Sequence, residues 1–160
     1  MIGFINWFKK EPILIGFEDV KKAIQQSSHC HIINTLSIEQ QDCLITGTIA
    51  YDKEEIVINK ILDQSTNIDE NIIVYGKNSA DDSAKTKAVQ LKTLGFKNVF
   101  IYSGGLFEWL LLQDIYGISE FPTTTVCKDI LKYRAPQSVF LFTSLSIQNN
   151  DTPSYLSTYF

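Results

Sequence analysis

"LGFKNVFIYSGGLFEW", residues 94–109, decides how this chain folds. Gly95 stands where a helix ends on a left-handed residue, and an apolar run through Val99, Phe100, Ile101 and Tyr102 follows almost at once. A strand that is apolar on both faces belongs inside a parallel sheet covered by helices on either side. Gly104 and Gly105 follow, and a second helix begins just after them. The same glycines lack the lysine and Ser/Thr of a P-loop and the spacing of a dinucleotide site, so they predict no nucleotide.

The pattern continues in both directions. "NIIVY", residues 71–75, is another continuous apolar strand, and the helix after it carries Ala84, Ala88 and Leu91 as an inner stripe. Earlier, "PILIGF" predicts a short strand, and "FEDVKKAIQQ" a helix with Phe17, Val20 and Ile24 on one face. "CHIINTL" predicts a further strand, and "CLITGTIAY" a turn at Gly47 with another short β segment. "DKEEIVINKIL" opens with Asp52 and Glu55 at capping-box spacing and runs Val57, Ile58, Ile61 and Leu62 along one side. Later, "LFEWLLLQDIYG" is apolar nearly all round, which predicts burial on more than one side. "FPTTT" reads as extended and "KDILKY" as a short helix before Pro136. Alternating strands and helices with short connections predict an α/β domain with a mostly parallel five-stranded sheet and helices on both faces. The expected division is an N-terminal segment at residues 1–12, the domain at 13–136 and a C-terminal extension at 137–160, read as a docked strand and a loose polar tail.

Composition narrows the function classes. Of 160 residues 44% are hydrophobic and 20% charged, as in ordinary globular proteins, and 14 Lys and Arg against 18 Asp and Glu leave a net charge of -4. No stretch concentrates basic residues, so nucleic acid is not an expected partner. Cys30, Cys43 and Cys127 are an odd count without metal-type spacing, which predicts reduced thiols, a cytoplasmic setting, and neither metal nor cofactor. At the N-terminus, Phe4, Ile5, Trp7 and Phe8 precede Lys9 and Lys10. Two readings stand for this segment: it packs on the domain or is mobile, or it makes a weak peripheral membrane or partner contact.

Open α/β sheets keep their chemistry at the carboxyl ends of the strands. Between "NIIVY" and its helix lie Gly76, Lys77, Asn78, Ser79, Ala80, Asp81, Asp82 and Ser83, with no Cys, His or Arg. Asp81 and Asp82 are either a metal or general-base pair or, as acids in the first turn of a helix usually are, caps; capping is the expectation, with Ser79 and Asp82 a second capping pair. Lys77 either contacts an anion or is a solvated loop lysine. Elsewhere, His29 and His31 alternate with Cys30, so the imidazoles share a face and the thiol points away, which argues against a metal site in this tripeptide. Cys43 reads as a buried apolar filler, with a relocated nucleophile as the other possibility.

The order "FEDVKKAI", "HIINTL", "CLITGTI", "NIIVYG" and "LKTLGFKNVFIYSGGLFEW" resembles a rhodanese-like domain over residues 13–122. The helix-ending Gly95-Phe96, the paired Gly104 and Gly105 and the following Trp109 carry most of that resemblance, with Gly47 in a weaker matching segment. It implies a three-layer α/β fold and sulfur or phosphoryl-type anion chemistry at the loop after the fourth strand. There the family holds a cysteine first and an arginine further along. A thiolate in such a loop is stabilised by converging amides and the helix dipole, and the arginine grips the anion. In this chain the cysteine position is Gly76, and Asp81 and Asp82 stand toward the arginine end. Asn34-Thr35-Leu36 replaces the usual Asp-x-Arg, and Cys43 stands where a histidine is common. The resemblance therefore implies a domain without its covalent mechanism. Cysteine-less members of the family serve as docking modules in MAP kinase phosphatases and some ubiquitin hydrolases, so an unidentified protein partner is expected. The alternative is an enzyme that uses residual loop chemistry or another thiol.

Overall fold

In the computed structural model, residues 11–63 and 70–136 are described. The apolar runs become the strands β1 (Ile13–Ile15), β2 (Cys30–Asn34), β3 (Asn71–Tyr75) and β4 (Asn98–Tyr102). Between and after them lie the helices α1 (Phe17–Gln25), α2 (Tyr51–Asp63), α3 (Ser83–Thr93) and α4 (Gly105–Tyr116), with a 3-10 turn at Ile130–Tyr133. The strands form one parallel sheet in the order β1-β4-β3-β2. Asn34 pairs with Tyr75, Tyr75 with Tyr102 and Tyr102 with Ile15, so all four carboxyl ends finish level and their loops share one rim.

Helices cover both faces because β3 and β4 are apolar on both. On one face Ile73, Tyr75 and Tyr102 meet Val20 of α1 and Leu106, Trp109 and Leu110 of α4. On the other, Ile72, Val74, Val99 and Ile101 meet Ile58 and Ile61 of α2 and the Ala84, Ala88, Leu91 stripe of α3. The two alanines let α3 lie close to the sheet. Gly95 ends that helix at φ 109°, a conformation that L side chains rarely adopt.

Four expectations are corrected. The sheet has four strands rather than five: the "CLITGTIAY" segment makes only isolated bridges, Ile32 with Thr48 and Ile45 with Thr123. Gly47, at φ 86°, turns the chain between those bridges, so no ladder extends. α2 begins at Tyr51, which places Asp52 inside its first turn instead of at the cap. α4 buries Leu106, Trp109 and Leu110, but Leu111 and Ile115 on its outer side are exposed, because no element covers that side among the described residues. At the start of α3 the capping carboxylate is that of Asp81, because Asp82 holds the cap position in helical conformation and its side chain makes no capping bond.

The calls on Phe4, Ile5, Trp7 and Phe8 and on residues 137–160 lie outside the described residues. Among the described residues no helix is long and apolar enough to cross a membrane.

Candidate functional site: the loop after the third strand

β3 ends at Tyr75 in the middle of the sheet, and the next seven residues cross the rim before α3 begins at Ser83. Asp81 organises this loop. Its Oδ2 accepts from the amide of Lys77 at 2.8 Å and its Oδ1 from the amide of Ser83 at 2.9 Å, so one carboxylate ties both ends of the turn. Burial pushes the Asp81 carboxyl up, but the bonds from Lys77 and Ser83 and the nearby Lys77 charge outweigh it and hold the group below its ordinary range. The amides of Lys77 and Ser83 are thus both taken by a side chain of the chain itself.

The same carboxylate fills the space over Gly76. A Cβ placed on Gly76 would lie 2.8 Å from Asp81 Oδ2, 3.1 Å from its Cγ and 3.4 Å from Ser83 Oγ. A side chain at position 76 would therefore require the Asp81 carboxylate to shift.

The loop is also fastened from outside. Gly76 and Lys77 each accept at their carbonyl a 3.0 Å bond from α4, from the amides of Leu106 and Phe107 respectively. Gly105 makes this approach possible: at φ 63° it comes so near that a Cβ there would sit 2.8 Å from both Asn78 N and Gly76 O. Asn78 is buried, accepts from Ala80 N at 3.0 Å and donates to the carbonyl of Tyr133 at 2.7 Å. On the β2 side, Thr35 N and Oγ1 bond the Tyr75 carbonyl at 3.0 and 3.3 Å, and Thr35 Oγ1 lies 2.6 Å from Ser83 Oγ. The adjoining Asn34 is buried and turns its Oδ1 back to the Leu36 amide.

Ser79, Ala80 and Asp82 are the exposed part of the loop, while Lys77, Asp81 and Ser83 are half-buried. Local sequence did not reveal the Asn78 to Tyr133 bond, which joins residues 55 apart. Nor did it reveal which aspartate would close the turn, since either one is a plausible cap.

The other candidates lie elsewhere. Cys43 is fully buried and its thiol donates to the Thr125 carbonyl at 3.3 Å, which agrees with the filler reading. Cys30 starts β2 at the opposite end of the sheet from the loop, and burial together with the Glu70 charge pushes its thiol up to about 11. Cys127 is also pushed up, chiefly by burial. His29 and His31 do share a neighbour that sequence reasoning missed: Glu70 places Oε1 3.5 Å from His29 Nδ1 and Oε2 3.5 Å from His31 Nε2. Among the described residues no group of three His, Cys, Asp or Glu is arranged to hold a metal ion.

A family model described as the rhodanese-like domain matches residues 9–112. The chain belongs to the rhodanese-like domain family. A search of curated proteins returned no match. Among solved structures, this rhodanese-like domain is similar to a Saccharomyces cerevisiae homologue of single-domain rhodanese and the Cdc25 phosphatase catalytic domain, at 15% identity and TM-score 0.54, covering 80% of this chain and 95% of that one. It is also similar to a single-domain sulfurtransferase of the same yeast, at 16% identity and TM-score 0.51, covering 69% and 98%. A Lactobacillus plantarum protein gives 18% identity and TM-score 0.50, covering 63% and 84%. At these identities the likeness shows the fold alone, a sulfurtransferase-related α/β architecture with a parallel sheet.

Proposed function

We propose that this rhodanese-like domain is catalytically inactive and acts as a protein-binding or regulatory module. The observation that carries this reading is the Asp81 carboxylate, which bonds the loop amides and occupies the space above Gly76, where the family's nucleophile belongs. Sulfur transfer needs a thiolate that reaches the donor and a positive environment to stabilise it. Gly76 supplies no thiol, and Asp81 adds negative charge where an anionic donor would approach. The remaining thiols are poor substitutes. Cys43 is sealed in the core, and Cys30 is held in its protonated form away from the loop.

The test is thiocyanate production from thiosulfate and cyanide by the full chain, run beside Cys43→Ser. Background rates in both are expected. Turnover that disappears in Cys43→Ser would overturn the reading and establish a relocated nucleophile. Affinity capture from the native cell tests the binding half, and repeated recovery of no specific partner counts against it.

A further inference from the structure

We propose that the groove between α2 and α3 is the docking surface for a basic amphipathic helix of a partner protein; the inference rests on the binding-module reading and names the partner's chemistry. The groove encloses about 840 Å³, and at its upper end it reaches Thr35 and Ser83, beside the loop. Its apolar floor comes from Ile58 and Leu91, whose outer edges close the core. Tyr51 and Leu94 also line it, yet they are 63% and 54% exposed and belong to neither core cluster. The fold makes no use of them as core, and they lie toward opposite ends of the groove, at the start of α2 and the end of α3.

The walls decide the occupant. Asp52, Glu54 and Glu55 line the α2 side, and Lys87 is the single cationic lining residue on the α3 side. Lys87 pairs with Glu54, which leaves Asp52 and Glu55 as excess negative charge along an apolar trough. Charge of that sign repels an acidic peptide or an anionic lipid surface and attracts Lys and Arg. α3 has 11 residues and so runs about 16 Å, roughly three turns, which matches a short helix laid alongside with apolar anchors at i, i+3, i+4 and i+7. Tyr51 and Leu94 would receive the outer anchors, and Asp52 and Glu55 the flanking cations.

The experiment titrates the isotopically labelled full chain, followed by amide chemical shifts, with two synthetic helical peptides of about 14 residues. Both share one leucine spacing, and one carries lysine where the other carries glutamate. Shifts within α2 and α3 are expected from the lysine peptide alone, with affinity falling about tenfold in Asp52→Lys/Glu55→Lys, whose exposed positions should leave the spectrum well dispersed. Leu94→Asn, at the far end, should weaken binding as well and carries the test if the double variant loses dispersion. Equal response to both peptides, shifts confined to other elements, unchanged affinity in the variants, or a dimer in sedimentation that Leu94→Asn dissociates would each overturn the proposal. Sulfur transfer in the assay above would end the non-catalytic reading without moving these shifts, and silence from the peptides would leave that reading in place.

Discussion

Asp81 is the residue on which the loop turns. Because its carboxyl is held below the ordinary range, the stability it contributes is fully present above the unfolded-state value near 4 and is lost as pH falls through the lower folded-state value. Its two amide bonds are charge-assisted, and partial exposure trims their worth, so Asp81→Asn should cost roughly 1–2 kcal/mol at neutral pH. The difference between wild type and variant should shrink toward pH 3, as the wild-type carboxyl takes up its proton. Urea denaturation at the two pH values measures this. An equal cost at both would mean that Asp81 supplies shape and not charge. At this scale the sequence was half legible: Gly76 could be read directly as a loop position without a side chain, but whether Asp81 or Asp82 closes the turn depends on backbone angles that no spacing rule specifies.

Among the elements, the junction between β4 and α4 is the most constrained. Gly105 and Gly95 both have positive φ, yet they differ in surroundings, since a Cβ at Gly95 meets nothing within 4 Å whereas at Gly105 it meets backbone at 2.8 Å. Gly95→Ala should therefore cost about 1–2 kcal/mol from conformation alone, while Gly105→Ala adds an overpacking penalty of about 1–3 kcal/mol. Thermal unfolding of the two variants checks the order, and equal losses would remove the close approach as an explanation. The elements that sequence rendered well, β3, β4 and the α3 stripe, are those whose burial follows from local periodicity. The expected fifth strand failed because Ile45 and Ile49 carry a strand's apolar pattern, while the turn at Gly47 permits only single bridges. The exposed side of α4 failed for a related reason, because composition cannot say whether a neighbour exists to cover it.

For the whole molecule, the core extends beyond the segment that marks the family. The family match ends at residue 112, yet Phe121 and Tyr133 are buried in the α1/α4 core, and Trp109 Nε1 donates to the Pro122 carbonyl at 3.2 Å. Removal of a buried large aromatic side chain costs about 3–5 kcal/mol, against a usual total stability of about 5–15. A chain ending at Gly117 loses both, so it should show no cooperative thermal transition by near-ultraviolet circular dichroism and should bind a hydrophobic dye. A sharp transition within a few degrees of the full chain would refute this. The return of the chain after α4 was legible only as an extended stretch and a short helix, because its role depends on contacts far apart in sequence, such as Cys43 with Thr125. The 2.8 Å between a Cβ at position 76 and Asp81 also bears on how this protein is compared with others. Positions 76 and 81 share one space, since Asp81 Oδ2 lies where a side chain at 76 would begin. A comparison that scores each position separately would therefore miss that a residue larger than glycine at 76 requires the carboxylate at 81 to move.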